Sequence, residues 1–151
     1  MSEQERIAVL VQAIKSLEEA IAVYETNARL LTSLIQREEA VKDTLQYLSE
    51  RGVLEKGYLP LGESVMLPVD KLKVPQVLVN IGSGYYVESS LERALAIVEE
   101  RIRTLSESLS NVTRVLEDLK LRYQAIQAEL ASMVSKQEGS TLARAAESRP
   151  K

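Results

Sequence analysis

Residues 91–133 read LERALAIVEERIRTLSESLSNVTRVLEDLKLRYQAIQAELASM, and their apolar residues return at alternating spacings of four and three. Leu91, Leu95, Val98, Ile102, Leu105, Leu109, Val112, Leu116, Leu119, Tyr123, Ile126, Leu130 and Met133 keep that alternation for thirteen positions without a miss. A mean period of 3.5 residues marks an α-helix whose apolar seam faces another helix. Neither Gly nor Pro interrupts the stretch.

A partner lies upstream. Residues 2–50 also lack Gly and Pro, and Ile7, Leu10, Ile14, Leu17, Ile21, Tyr24, Ala28, Leu31 and Ile35 form a second seam. Glu38 then stands where the next seam residue is due. Leu34, Val41, Leu45 and Leu48 read as the seam resumed after an offset, a stammer. Gly52 is a stop signal for this helix. Ser89 and Glu92 have the spacing of a capping box at the start of the second helix. Each helix spans about 45 residues, or roughly 70 Å at 1.5 Å per residue. Equal lengths predict an antiparallel pair with Leu48 near Leu91 and Ile7 near Met133, so both free ends meet at one tip.

Between them, residues 52–88 hold five of the six Gly and three of the four Pro. The spacing predicts strands at 58–61 and 65–69 around Gly62, and at 77–81 and 85–88 around Gly82-Ser83-Gly84. Pro68 and Pro75 favour edges or connections. Four such short strands cannot bury both faces of a sheet, so they need partners from other subunits. The candidate assembly residues are Tyr58, Leu59, Leu61, Val65, Leu67, Val77, Val79, Ile81, Tyr85 and Val87. The expected organisation is a coiled-coil helix at 1–50, two β-hairpins at 51–88, a coiled-coil helix at 89–137 and a disordered tail at 138–151. The fold class is mainly α: a long antiparallel two-helix coiled coil with two central β-hairpins.

Composition narrows the function. Among 151 residues there is no Phe, Trp, Cys or His. A compact domain of this length ordinarily fills its core with aromatic side chains. Without His or Cys, the commonest general base, thiolate nucleophile and metal ligands are missing, which disfavours an enzyme. A net charge of -3, drawn from 19 basic and 22 acidic residues mixed along the chain, offers no field that would attract nucleic acid. The longest apolar run, at residues 7–11, is too short for a membrane span. A cytoplasmic protein is expected, with no cofactor and no metal.

Against this background the middle segment is the most specific feature. Leu59-Pro60-Leu61-Gly62 resembles the first-hairpin turn of archaeal α-type prefoldin subunits. Val79-Asn80-Ile81-Gly82-Ser83-Gly84-Tyr85-Tyr86-Val87-Glu88 resembles their second-hairpin signature. The resemblance covers residues 2–136 and departs at Glu63-Ser64, where that family often has a small Ala- or Gly-rich turn. It implies a heterohexamer of two α and four β subunits whose hairpins join in an oligomeric β-barrel body carrying six coiled coils. It further implies an ATP-independent chaperone, a holdase, that binds unfolded polypeptides at the coiled-coil tips and transfers them to a group II chaperonin.

Other motifs carry less. Gly82-Ser83-Gly84 lacks the third Gly of a phosphate loop, since Val87 stands there, and a hairpin turn at positive φ explains it better. Adjacent acidic pairs such as Glu18-Glu19, Glu38-Glu39 and Glu99-Glu100 point in different directions on a helix and read as solvated faces. Glu38, on the seam, either loosens packing or sets register. At the tip, Ile7, Leu10, Leu130 and Met133 belong to the seam, while Val9, Val11 and Val134 add apolar groups beside it. These seven are the candidate substrate-binding residues. The other reading of the three valines is a broadened helix contact. A structural adaptor that docks one specific helical partner is the alternative function.

Overall fold

The computed structural model describes residues 1–149. In chain order it comprises α1 (Glu3–Arg51), β1 (Val53–Pro60), β2 (Met66–Lys73), β3 (Gln76–Gly82), β4 (Tyr85–Ser90) and α2 (Leu91–Glu147). Two long helices and two antiparallel hairpins are present, as expected. They form two compact units, one made of residues 1–30 with the chain from Leu109 onward, the other of residues 31–108.

In the first unit the seam residues of α1 from Ile7 to Ala28 and those of α2 from Leu109 to Met133 are all half-buried. Side-chain pairs fix their direction. Lys120 Nζ lies 3.1 Å from Glu25 Oε1, Tyr123 Oη donates to Glu18 Oε1 at 3.1 Å, and Arg6 Nη2 lies 3.7 Å from Glu129 Oε1. As α2 numbers rise α1 numbers fall, so the helices run antiparallel. The ion pairs are largely exposed and set register more than they stabilise. Helix α1 opens on a capping box that the sequence reading overlooks: Ser2 N donates to Glu5 Oε2 at 2.7 Å, and Glu5 N to Ser2 Oγ at 3.2 Å. This S-x-x-E was legible at residues 2–5.

The tail expectation is corrected. Helix α2 does not stop at 137 but continues through Glu147. Gly139 is unfavourable there by only about 1 kcal/mol. Leu142, Ala143, Arg144, Ala145, Ala146 and Glu147 are good helix formers, and Thr141 Oγ1 returns its hydroxyl to the Gln137 carbonyl at 2.9 Å. Every residue of 138–149 is nonetheless exposed. The last two positions of the expected tail, 150 and 151, lie outside the described residues.

The second unit contains the only fully buried cluster among the described residues. Leu45 and Leu48 of α1, Val79 of β3, and Leu91, Ala94 and Val98 of α2 form it, flanked by Tyr47, Leu54, Val74, Val77, Leu95, Ile97 and Ile102. Ala94, at 1% exposure, marks the tightest approach, where a larger side chain would not fit. Gly52 ends α1 with φ 67°, its N–H bonded to the Leu48 carbonyl at 2.7 Å. That is the left-handed helix stop expected of it.

Three local expectations change in this unit. First, the seam of α1 does not change register cleanly at Glu38 but widens to take residues of both registers. Glu38 and Lys42 are half-buried in the original register, while Leu34 and Leu48 of the offset one are half-buried and buried, Leu45 is common to both and buried, and Val41 is exposed. The stammer was inferred because two polar residues occupy consecutive seam positions. Second, the cap of α2 is Ser90, whose Oγ accepts from Arg93 N at 3.2 Å. Ser89 is buried and donates to the Ser90 carbonyl at 3.0 Å, so the Ser89/Glu92 box does not form. Third, the first hairpin is longer than 58–61 and 65–69. Its ladder reaches Val53↔Lys73 and includes Lys56↔Asp70. The charged residues at its inner end have low strand propensity, but opposite charges face each other across the ladder.

Candidate binding and assembly surfaces

Each sheet has only two strands, so within the described residues every strand has one backbone edge unpaired by another strand. In the first hairpin, Tyr58 and Pro60 share a face with their partners Pro68 and Met66, while Leu59 pairs with Leu67 on the other. Both faces are apolar and neither is covered: Tyr58 is 71% exposed on one, and Leu59 and Leu67 are each 45% exposed on the other. Leu61 and Val65, which close the loop through Leu61 N to Val65 O at 2.9 Å, are exposed as well. On the inner side Gly57 lies where a Cβ would come 2.6 Å from Leu54 Cδ2, so the hairpin there tolerates only Gly without moving Leu54.

The second hairpin divides its faces differently. Val77 and Val79, paired with Ser89 and Val87, turn toward the helices, and Val79 is buried there. Those two candidate assembly residues therefore serve the core of their own chain. Farther out, Ile81, Tyr85 and Val87 are exposed. The turn is made by Ser83 at φ 50° and Gly84 at φ 77°, between the paired Gly82 and Tyr85, a two-residue loop of the type suited to hairpin twist. Asn80 Oδ1 accepts from Gly82 N at 2.8 Å and steadies the entry.

The sequence reading misses Met66, Leu72, Leu78 and Tyr86, all of them exposed. Leu78 and Tyr86 lie on the face of the second hairpin opposite Val77 and Val79. Their even positions carry the signal, since a strand apolar on both faces has one face left over after the core is built. They line a groove of about 550 Å³ with Val41, Leu45 and Leu48 of α1. Arg101 borders it and donates to the Asn80 carbonyl.

In the first unit, Ile7, Leu10, Leu130 and Met133 are half-buried in the seam, whereas Val9, Val11 and Val134 are exposed. Glu3 and Gln4 share a shallow depression with Val134, Gln137 and Leu142. The start of α1 and the outer part of α2 thus come together. The Tyr123 phenol is raised above its ordinary 10.0, first by the hydrogen bond it donates to the Glu18 carboxylate, then by its own partial desolvation and by the Glu18 charge. No group of three or more potential metal ligands occurs among the described residues, and no helix is long and apolar enough to cross a membrane.

Comparison with known proteins agrees with this architecture. The prefoldin subunit α of Archaeoglobus fulgidus is 26% identical over 137 residues, covering 91% of this chain and all of that one. The prefoldin subunit α of Metallosphaera sedula is 36% identical over 75 residues, half of each chain. Among solved structures, filamentous PFD from Methanocaldococcus jannaschii superposes with a TM-score of 0.64 at 20% identity, covering 78% of this chain and 98% of that one. The family model for prefoldin subunits matches residues 17–136, from the seam of α1 through both hairpins to the outer part of α2, and the chain belongs to the prefoldin family.

Proposed function

We propose that this chain is the α-type subunit of an ATP-independent holdase. Family membership supports the role of a chaperone subunit that assembles with other prefoldin subunits. The finer reading is a cytoplasmic heterohexamer of two such chains with four β-type subunits, whose hairpins join in a β-barrel body. The observation that carries it is the concentration of exposed large apolar side chains on two hairpins with open edges, Tyr58, Leu61, Leu78 and Tyr85 each above 60% exposed. Surfaces of this kind are covered by association rather than left in water.

Capture is assigned to the first unit. Val9, Val11 and Val134 present apolar groups beside the seam, and Met133 adds an adaptable one. One such contact is weak. Several coiled coils on one body engage a single unfolded chain together, and each engaged contact raises the effective concentration for the next. Weak individual contacts also permit hand-over to a group II chaperonin without nucleotide.

Removing residues 1–11 together with the chain after Met133 tests this reading. The truncated subunit is expected to assemble with a β-type partner yet lose suppression of client aggregation, followed by light scattering. Full suppression by the truncated assembly would refute tip capture. Protection of one client only, with none for unrelated ones, would favour a structural adaptor.

A further inference from the structure

Beyond Val79 the second hairpin leaves the core of its own chain, and every residue from Asn80 to Glu88 is exposed. The ladder is irregular at the same place. Asn80 pairs with Tyr86 and Gly82 with Tyr85, so Ile81 is an extra residue, a β-bulge. A bulge bends its strand and re-aims the side chains beside it. This one sets the direction of the turn that carries Ile81 and Tyr85, which are 57% and 69% exposed. A hairpin of two strands is marginal in water, and this end of it has no buried side chain to hold that direction.

One side chain reaches it from α2. Arg101 stands seven residues after Ala94 and three after Val98, and so continues the helix face on which those two are buried. Its Nη2 donates to the main-chain carbonyl of Asn80, while the side-chain Oδ1 of Asn80 accepts from Gly82 N. Asn80 is thereby tied both to the helix and across the bulge to the turn. Outside the junction at Ser89 to Arg93, no other side-chain hydrogen bond or ion pair joins a helix to either hairpin among the described residues. Glu38 lines the same groove as Arg101, yet no ion pair joins the two among the described residues, and the guanidinium stays on the carbonyl. A charged donor makes this a stronger tie than a neutral one would be. We infer that Arg101 is a positioning residue for assembly: it fixes the bulge at Asn80 to Gly82 and so presets the direction in which Ile81 and Tyr85 meet a partner subunit. This rests on the hairpins being the assembly surface. A surface already held in its bound conformation loses less freedom on association and binds more tightly through the same contacts.

The test compares three variants of the full chain. Arg101→Met keeps the apolar stem and removes every donor, Arg101→Lys keeps a charged donor, and Leu61→Glu with Tyr85→Glu spoils the hairpin surface itself. Assembly with a β-type subunit is titrated by sedimentation, and hydrogen exchange of the amides of residues 80–86 is followed in the free chain. Arg101→Met is expected to weaken assembly about tenfold, the order of one charged hydrogen bond, and to speed exchange at 80–86 about fivefold. Helicity, and exchange along residues 105–130, should not change, because Arg101 lies outside the buried cluster. Arg101→Lys should recover most of both losses. Weaker assembly of Arg101→Met with unchanged exchange would mean that Arg101 touches the partner itself, and would overturn the positioning role. So would an Arg101→Lys chain as impaired as Arg101→Met in both readouts. Normal assembly of Arg101→Met, beside loss of the complex in the double-Glu variant, would overturn the inference and leave the hairpin reading standing. Normal assembly of the double-Glu variant would overturn the hairpin reading and the inference with it.

Discussion

At the scale of single residues, the two helix starts rest on hydroxyls that sequence spacing alone did not sort correctly. Ser89 and Ser90 both precede α2, and only the structure distinguishes a cap from a buried spacer. Ser90→Ala removes the acceptor of Arg93 N and is expected to cost about 1 kcal/mol, read as a lower urea midpoint, whereas Glu92→Ala should leave that midpoint nearly unchanged. Tyr123 offers a pH test. Its pKa is raised in the folded chain by the bond to Glu18, so the protonated phenol is favoured by folding. That contribution is complete below the ordinary value of 10.0 and is lost as pH rises through the raised one. Alkaline titration of thermal stability should therefore show a downward limb above pH 10 that is smaller in Tyr123→Phe. An identical limb in both proteins would remove Tyr123 from the account.

At the scale of elements, the long helices were legible because every seam residue of α2 from Leu91 to Met133 is fully or partly buried. A thirteen-fold repeat outweighs any local propensity. The hairpins were legible at their turns, where Gly and positive φ leave a signature, and less so at their inner ends, where tertiary pairing outweighs the low strand propensity of Glu55, Lys56 and Asp70. Around Glu38 the sequence offers two registers and the structure uses parts of both, Glu38 and Lys42 from one and Leu34 and Leu48 from the other, with Val41 left exposed. Since Glu38 is half-buried in register, Glu38→Leu should complete the seam and raise stability by about 1 kcal/mol, a part of what full burial of Leu contributes. Lower stability in this variant, measured by urea unfolding, would mean that Glu38 has a polar role the packing does not reveal.

For the molecule as a whole, the candidate site was legible as a region and not as a face. Ten apolar hairpin residues were expected to meet partners, yet the same segment must also build its own core, and Val77 and Val79 are used there. The division depends on which side of β3 turns toward Ala94 and Val98, which no strand pattern with apolar residues on both faces can tell. Exposed positions are the ones to alter. Leu61→Glu with Tyr85→Glu should leave helicity intact, because neither touches the buried cluster, and should abolish the heavy complex formed with a β-type subunit in sedimentation. Persistence of that complex would move the assembly surface elsewhere.

The thinness of the core has a calorimetric consequence. Among the described residues no large side chain is less than 2% exposed, and the fully buried apolar cluster has six members. The heat-capacity increment of unfolding tracks apolar surface newly exposed to water, about 12–15 cal/mol/K per residue in ordinary globular domains. The isolated chain should fall below that range and unfold over a broad temperature interval, with a shallow stability curve. Partners that cover the hairpins add the missing apolar burial, so assembly should sharpen the transition and raise the heat-capacity increment together.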